Sequence, residues 1–275
     1  MPSLQPPHDP LSGVVVVVLV DFLRQHRSWG WLRMVAGGAP YKQVPGLTTV
    51  KVMGSGHGGG FSLRPSPSHQ GLICTFTHLD LALQFLDSPA VQAYRSRARE
   101  CWTGVMAVQS ARGHWDKQAW QTSSAQALGQ HKGSDDSQSA PFAVLTRASI
   151  VPSKAMAFWR YAPAAQADLS LAPGCLLAMG LGEAPLVRQC TFSLWRDTGA
   201  MVQYAQQGAH QVASAAAYRH QFFSESLFVR MQVLQMAGVW QGQRFQLAHP
   251  SAPSGAALVG HPSVADTFVP EVSHV

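Results

Sequence analysis

Seven apolar residues follow one another from Val14 to Val20, six of them valine, between Ser12-Gly13 and the polar group Arg24-Gln25-His26. A β-branched run of that length predicts a strand over Val14–Phe22, buried on both faces. Trp29, Leu32, Val35 and Ala36 then recur at helical spacing and predict a helix over residues 25–36. Leu47–Met53 alternates into a glycine turn and Gln70–Thr77 reads as another strand. Leu79–Leu86 and Pro89–Arg99 look helical, with Ser88 placed to cap the second of them and Pro89 in its first turn. Trp102–Gln109 closes the set as a strand, so the order is β-α-β-β-α-β, the ferredoxin-like arrangement.

The order then restarts. Residues 113–140, rich in Gln, Ser, Gly, Asp and Lys, read as a mobile connection without a core of its own. After it come a strand at Phe142–Val151, a helix opening at Pro152, strands at Cys175–Gly182 and Arg188–Leu194, helices over 197–206 and 208–222, and a strand at Leu227–Met236. Three strings recur in the same order. Met53-Gly54-Ser55-Gly56 returns as Met179-Gly180-Leu181-Gly182, Cys74-Thr75-Phe76 as Cys190-Thr191-Phe192, and Met106 with Trp115 as Met231 with Trp240. The expectation is an α+β chain of two tandem ferredoxin-like units: a first half over 12–116, a linker over 117–140, a second half over 141–245 and a disordered tail over 246–275. Two such sheets pair face to face and enclose an apolar chamber.

Apolar residues make up 46% of the chain and charged ones 12%, about half the usual charge load, so either Ser, Gln and His cover much of the surface or part of it meets something greasy. The net charge of +6 comes from scattered Lys and Arg without a dense run, which argues against a nucleic-acid partner. No run approaches the ~20 apolar residues of a membrane span, and Met1–Pro10 has no Lys or Arg to open a secretory signal, so a cytoplasmic protein with reduced thiols is expected. The four cysteines have neither C-x-x-C nor zinc-like spacing. Gly54-Ser55-Gly56-His57-Gly58-Gly59 formally satisfies a dinucleotide fingerprint, but Pro65 and Pro67 stand where a helix would have to run, so a hairpin rim is the better account.

The second half carries the more distinctive strings. They are Thr146-Arg147-Ala148-Ser149-Ile150 with Phe158-Trp159-Arg160, Gly180-Leu181-Gly182-Glu183-Ala184-Pro185, Thr191-Phe192-Ser193-Leu194-Trp195, Gly208-Ala209-His210, and Glu225-Ser226-Leu227-Phe228. With Gly54-Ser55-Gly56, Gly60-Phe61, Trp102 and Ser110-Ala111-Arg112-Gly113 in the first half, the chain over residues 14–243 resembles the spheroidene monooxygenases, the acyclic-carotenoid 2-ketolases of photosynthetic bacteria. The resemblance implies a haem-binding fold of the dimeric α/β-barrel type. It also implies an oxygenase that uses dioxygen and reduced ferredoxin to oxidise C2 of spheroidene twice, giving spheroidenone. Arg219-His220-Gln221 departs from the Gly-Trp-Phe type of sequence that relatives carry there, which bears on substrate range more than on reaction class.

Such an oxygenase needs a metal or haem, since dioxygen reacts poorly with a closed-shell hydrocarbon unaided. A b-type haem needs one axial protein ligand. His210 falls on the histidine of the Gly-Ala-His string, and Ala213, Ser214 and Ala217 follow it on one helix face, small enough for a flat porphyrin to approach. The other account of His210 is a capping or solvent-facing side chain at a helix start. His220 is the second candidate ligand, though its aromatic neighbours favour core packing, and it lies about 280° further round the helix. Thiolate ligation through Cys101 or Cys190 is a weaker third, because Cys74 and Cys190 look like equivalent packing positions. Arg147, Arg160, Arg188 and Arg219 are candidate propionate partners. Trp102, Trp159, Trp195, Phe192 and Phe223 would line a polyene tunnel or simply form core. Peripheral contact with a photosynthetic membrane follows from the substrate class and the low charge. Two rival readings remain, a non-enzymatic haem or tetrapyrrole carrier on the same fold and a cofactor-free oxygenase of the small dimeric type.

Overall fold

The computed structural model describes residues 13–60, 62–123, 141–184 and 186–248. It is an α+β fold whose strands close into an antiparallel barrel with the helices outside. The strands are β1 (Val14–Phe22), β2 (Leu47–Gly56), β3 (Pro65–Phe76), β4 (Ala98–Gly113), β5 (Phe142–Ile150), β6 (Cys175–Ala184), β7 (Arg188–Trp195), β8 (Phe223–Trp240) and β9 (Gln243–Leu247). The helices are α1 (Arg27–Ala36), α2 (Leu79–Leu86), α3 (Pro89–Arg95), α4 (Ala155–Phe158), α5 (Ala162–Leu171), α6 (Thr198–Ala205) and α7 (Gly208–His220).

The sheet runs β4-β1-β3-β2-β6-β7-β5-β8-β9, and β4 also pairs with β8, which closes eight strands on themselves. Each set of four therefore has the same internal order, mirrored about the β2–β6 seam. The two seams differ. β4 and β8 pair at eleven positions, from Trp102↔Gly238 to Gly113↔Leu227. β2 and β6 pair only at Gly54↔Gly182, reinforced by the Ser55 hydroxyl donating to the Gly180 carbonyl at 2.5 Å. The two repeated glycine strings thus meet each other across the narrow seam.

Side-chain alternation sorts each strand between two layers. Val15, Val17 and Leu19 of β1 point into the barrel, with Met53, Ile73, Trp102, Met106, Leu145, Met179, Phe192, Val229 and Met231. Val14, Val16, Val18 and Val20 point outward beneath the first set of helices, with Phe76, Phe85, Val91 and Tyr94. That double burial explains why β1 has no polar position before Asp21. Met106 and Met231 hold matching places, paired with Val15 and Ala143 and facing inward. Cys74 and Cys190 do not: Cys74 lies in the outer layer and Cys190 inside the barrel, so the likeness of their strings is a parity mismatch.

The interior is packed rather than hollow. Trp102 and Phe192 are fully buried with ring centroids 5.4 Å apart, and Phe245 closes on Trp102 at 6.5 Å. The apolar chamber expected between the sheets is thus filled by side chains among the described residues. Trp195 is core of the helix-side layer, its indole N–H donating to Ser193 Oγ at 2.9 Å, and Trp159 is buried with its N–H on the Leu186 carbonyl at 3.0 Å.

Other expectations are corrected locally. Gln243–Leu247 forms β9 against β8, a strand not foreseen at the end of the second half, and it carries order two residues into the tail expected from 246. Residues 114–123 are not a featureless connection. Trp115 is buried against the barrel core, and Trp120 stacks on it at 5.7 Å. The rest of the expected linker and the expected tail from residue 249 lie outside the described residues. His57–Gly59 forms a single tight turn between β2 and β3 rather than the start of a helix. The helical stripe in 25–36 does not face the core as a whole: Leu32 and Val35 are exposed.

Candidate functional site on the helix side of the second strand set

The outer layer over β5–β8 is much thinner than its counterpart over β1–β4. Its buried apolar members are Phe142, Val144, Leu169, Trp195 and Met201. Along the outward face of β5, Phe142 and Val144 are covered by helices, yet Thr146, two residues on, is exposed although β7 and β8 flank it. Ser226 on the same face of β8 is exposed as well. Small hydroxyl side chains floor this stretch, and an aromatic group formed by Phe158, Phe222 and Phe223 stands nearby, with Phe158–Phe223 centroids 5.7 Å apart.

His210 sits in the first turn of α7, half-buried. Two devices set that turn. Gly208 takes φ +61°, a backbone conformation that favours glycine, and a Cβ there would have to displace the tip of the exposed Asp168 carboxylate, 2.8 Å away. The same Asp168 oxygen accepts the Ala209 N–H at 2.8 Å, tying the start of α7 to α5. The His210 ring lies 4.8 Å from that of Tyr204, whose hydroxyl donates to the Ala165 carbonyl at 2.8 Å. Nδ1 of His210 is 3.3 Å from the carbonyl oxygen of Ala205, the last residue of α6. A carbonyl only accepts, so Nδ1 carries the proton and Nε2 keeps its lone pair. Burial lowers the imidazole pKa below its ordinary 6.5, with the Ala205 hydrogen bond opposing, so the ring is neutral near pH 7. The side chain thus caps α6 with one nitrogen and leaves the other available.

Ala213 and Ala217 lie on the same α7 stripe and are half-buried. His220 is exposed at the helix C-terminus, stacked on Phe222 at 5.4 Å, with its carbonyl accepting from Lys154 Nζ at 2.7 Å. It is therefore neither a core residue nor close to His210 on the helix. The thiols offer nothing ionised: burial pushes Cys101 up to about 12 and Cys190 higher still.

Arg147 is not brought together with His210. It shares the inward face of β5 with Ala143 and Leu145, on the opposite side of the sheet, and is 1% exposed. There it forms ion pairs with Glu225, with Glu183 at 3.4 Å and with Asp116 at 3.5 Å. Lys51 joins Asp116 at 2.5 Å and Glu183 at 3.2 Å, and Arg188 joins Asp116 at 3.6 Å. The Trp115 indole donates to Glu183 at 3.2 Å. Three cations meet three carboxylates, so the cluster is balanced and closes one barrel end. Burial would raise the Glu225 pKa, but the Lys117 and Asp116 amides and Arg147 together hold it down. The Lys51 hydrogen bond likewise holds Asp116 down. A polar cleft of about 610 Å³ opens beside this cluster, lined by His114, Lys117, Ser149, Arg188 and Ser224 among others. Several of the distinctive strings contribute to it, which their separation in sequence conceals.

Of the remaining arginines, Arg160 and Arg219 are exposed. Arg230, which sequence reading passed over, lies on the outward face of β8 opposite Val144. Its guanidinium sits 5.6 Å from the Phe228 ring centroid, its Nε is buried without a hydrogen-bond partner, and no ion pair holds it among the described residues. Strand alternation in β8 was the signal that could have found it. Among the described residues, no three His, Cys, Asp or Glu side chains converge as a metal cluster.

The architecture is that of a helix-clad antiparallel barrel, and solved structures share it. An aldoxime dehydratase in complex with butyraldoxime superposes with a TM-score of 0.52 over 81% of this chain and 80% of that one, and a second aldoxime dehydratase gives 0.51 over 85% and 88%. Both are 8% identical, so the likeness concerns fold alone. No family model matches the chain. Whole sequences are more telling. Spheroidene monooxygenase of Rubrivivax gelatinosus is 44% identical over 242 residues, 87% of this chain and 90% of the relative. That of Cereibacter sphaeroides is 29% identical over 249 residues, 90% of this chain and 72% of the relative. The chain belongs to the spheroidene monooxygenase family, and is a carotenoid monooxygenase by that membership.

Proposed function

We propose that the chain is a haem-dependent monooxygenase that oxidises C2 of spheroidene-type acyclic carotenoids twice, with dioxygen and reduced ferredoxin, to the 2-oxo product. The observation that carries the haem part is His210: a neutral imidazole with Nδ1 committed to the Ala205 carbonyl and Nε2 unpartnered among the described residues. A metal-binding histidine has this state, its second nitrogen fixing tautomer and ring orientation. Haem b, when bound, would supply dioxygen activation. The fit is supported by the thin helix-side layer, by Ala213 and Ala217 on the His210 stripe, and by the solvent-open floor at Thr146 and Ser226. Arg230 offers an uncompensated cation on that side of the sheet for a carboxylate. Arg147, spent on three carboxylates inside the barrel, does not suit that role.

The packed interior among the described residues supports a substrate path on the outside of the barrel. There the Phe158–Phe222–Phe223 group supplies apolar surface for one end of a polyene. Selectivity for one carbon then comes from positioning. Two successive hydroxylations at C2 give a gem-diol, which loses water to the ketone. The test is an absorption spectrum of the purified chain after haemin addition. A Soret band that is lost in His210→Ala and kept in His220→Ala supports the assignment. A band surviving His210→Ala transfers the ligand role elsewhere, and no band at all ends the haem reading.

A further inference from the structure

Positions 28, 31, 32, 35 and 36 of α1 share one helix face, and in this chain they are Ser28, Trp31, Leu32, Val35 and Ala36, all exposed. Trp31 is 44%, Leu32 67% and Val35 83% exposed. The other side packs Trp29 against Phe22 and Tyr94 of the outer core, with ring centroids 5.8 and 5.1 Å away, and the Arg33 guanidinium lies 4.9 Å from the Trp29 ring centroid. An ordinary surface helix presents polar residues on the side away from the core. Leu23, 38% exposed, extends the apolar strip ahead of the helix, and the exposed Ala39 and Pro40 extend it behind.

The chain on either side of this strip carries charge of one sign. Between Phe22 and Leu79 the chain has six basic residues and no Asp or Glu. Lys51 is taken up by Asp116 and Glu183, but Arg24, Arg27, Arg33, Lys42 and Arg64 form no ion pair among the described residues. An apolar helical stripe with aromatic and aliphatic members, flanked in the chain by unpaired cations, has the composition of a helix that lies in the headgroup region of an anionic bilayer.

We infer that α1 docks the protein on an anionic membrane surface, with Trp31, Leu32 and Val35 entering the acyl boundary and the exposed Arg24 and Lys42, which flank the helix in the chain, meeting lipid phosphates. A second copy is the poorer occupant, because a symmetric contact through this face would set two groups of unpaired cations against each other. The inference does not rest on His210 or on haem. It places the enzyme where a hydrocarbon substrate is dissolved.

The test is sedimentation of the full chain with vesicles of phosphatidylcholine alone and of phosphatidylcholine with phosphatidylglycerol. The expected result is pelleting with the anionic vesicles at low ionic strength, weakened by salt. The pair Leu32→Glu and Val35→Glu should weaken it about tenfold or more while leaving the circular dichroism and the haemin spectrum unchanged. Recovery of the wild-type chain in the supernatant with anionic vesicles overturns the inference, as does a variant that pellets like wild type. Wild-type dimers that the double substitution turns into monomers, with no vesicle binding, assign the face to a second copy instead.

Discussion

The imidazole Nδ1 of His210 donates to the carbonyl oxygen of Ala205 at 3.3 Å, so the start of one helix caps the end of the preceding one. The ring is held neutral by burial, and this gives it a pH signature in the protein without haem. Protonation is disfavoured in the folded state, so below about pH 6.5 the unfolded chain binds more protons than the folded one. The stability that His210 contributes is complete above that pH and falls as pH drops toward the lowered folded-state value. Thermal melts between pH 7.5 and 5.5 should show a falling Tm, and His210→Gln should flatten that slope. An unchanged slope would show that the ring is not the group responsible.

Gly208→Ala forces a side chain into φ +61° and against Asp168. A loss of roughly 1–2 kcal/mol is expected from the left-handed backbone alone, measured by urea unfolding. Because the strain falls at the start of α7, haemin affinity should drop as well. Asp168→Ala, which removes the contact to the Ala209 amide, should cost about 1 kcal/mol and lower affinity in the same direction.

Arg147 and Arg230 should separate cleanly. Arg147→Met strands Glu225 and Glu183 at the barrel end and should destabilise by about 3–5 kcal/mol, with the haemin spectrum of the folded fraction unchanged. Arg230→Leu removes a cation with no ionic partner among the described residues, so stability should change by less than about 1 kcal/mol while haemin binds more weakly. The reverse pattern would return the propionate role to Arg147.

Phe192 distinguishes a packed barrel from a tunnel. As core, Phe192→Ala should cost about 3–5 kcal/mol in chemical denaturation. A tunnel-lining residue would instead alter carotenoid turnover at nearly unchanged stability.

Much of this architecture was legible from local pattern. The all-apolar Val14–Val20 run becomes β1 as expected, Ser88 caps α3 by accepting the Val91 N–H at 3.4 Å, and the helix opening at 208 carries His210. The strings shared with carotenoid oxygenases agree with the whole-length relationship. These features depend on neighbours within a turn or on alternation along one strand, which a sequence displays directly.

Faces are another matter. Periodicity groups Leu32 with Val35 but does not say that their side points to solvent, and it made Cys74 and Cys190 look equivalent when they lie on opposite sides of the sheet. Arg147 meets Asp116, Glu183 and Glu225 across separations that only strand register closes. The filled barrel, the thin layer beside His210 and the unpaired Arg230 arise in the same way. Local chain chemistry sets the period of each element, whereas long-range pairing sets which side of each element is covered, and the chemistry of this protein depends on the second.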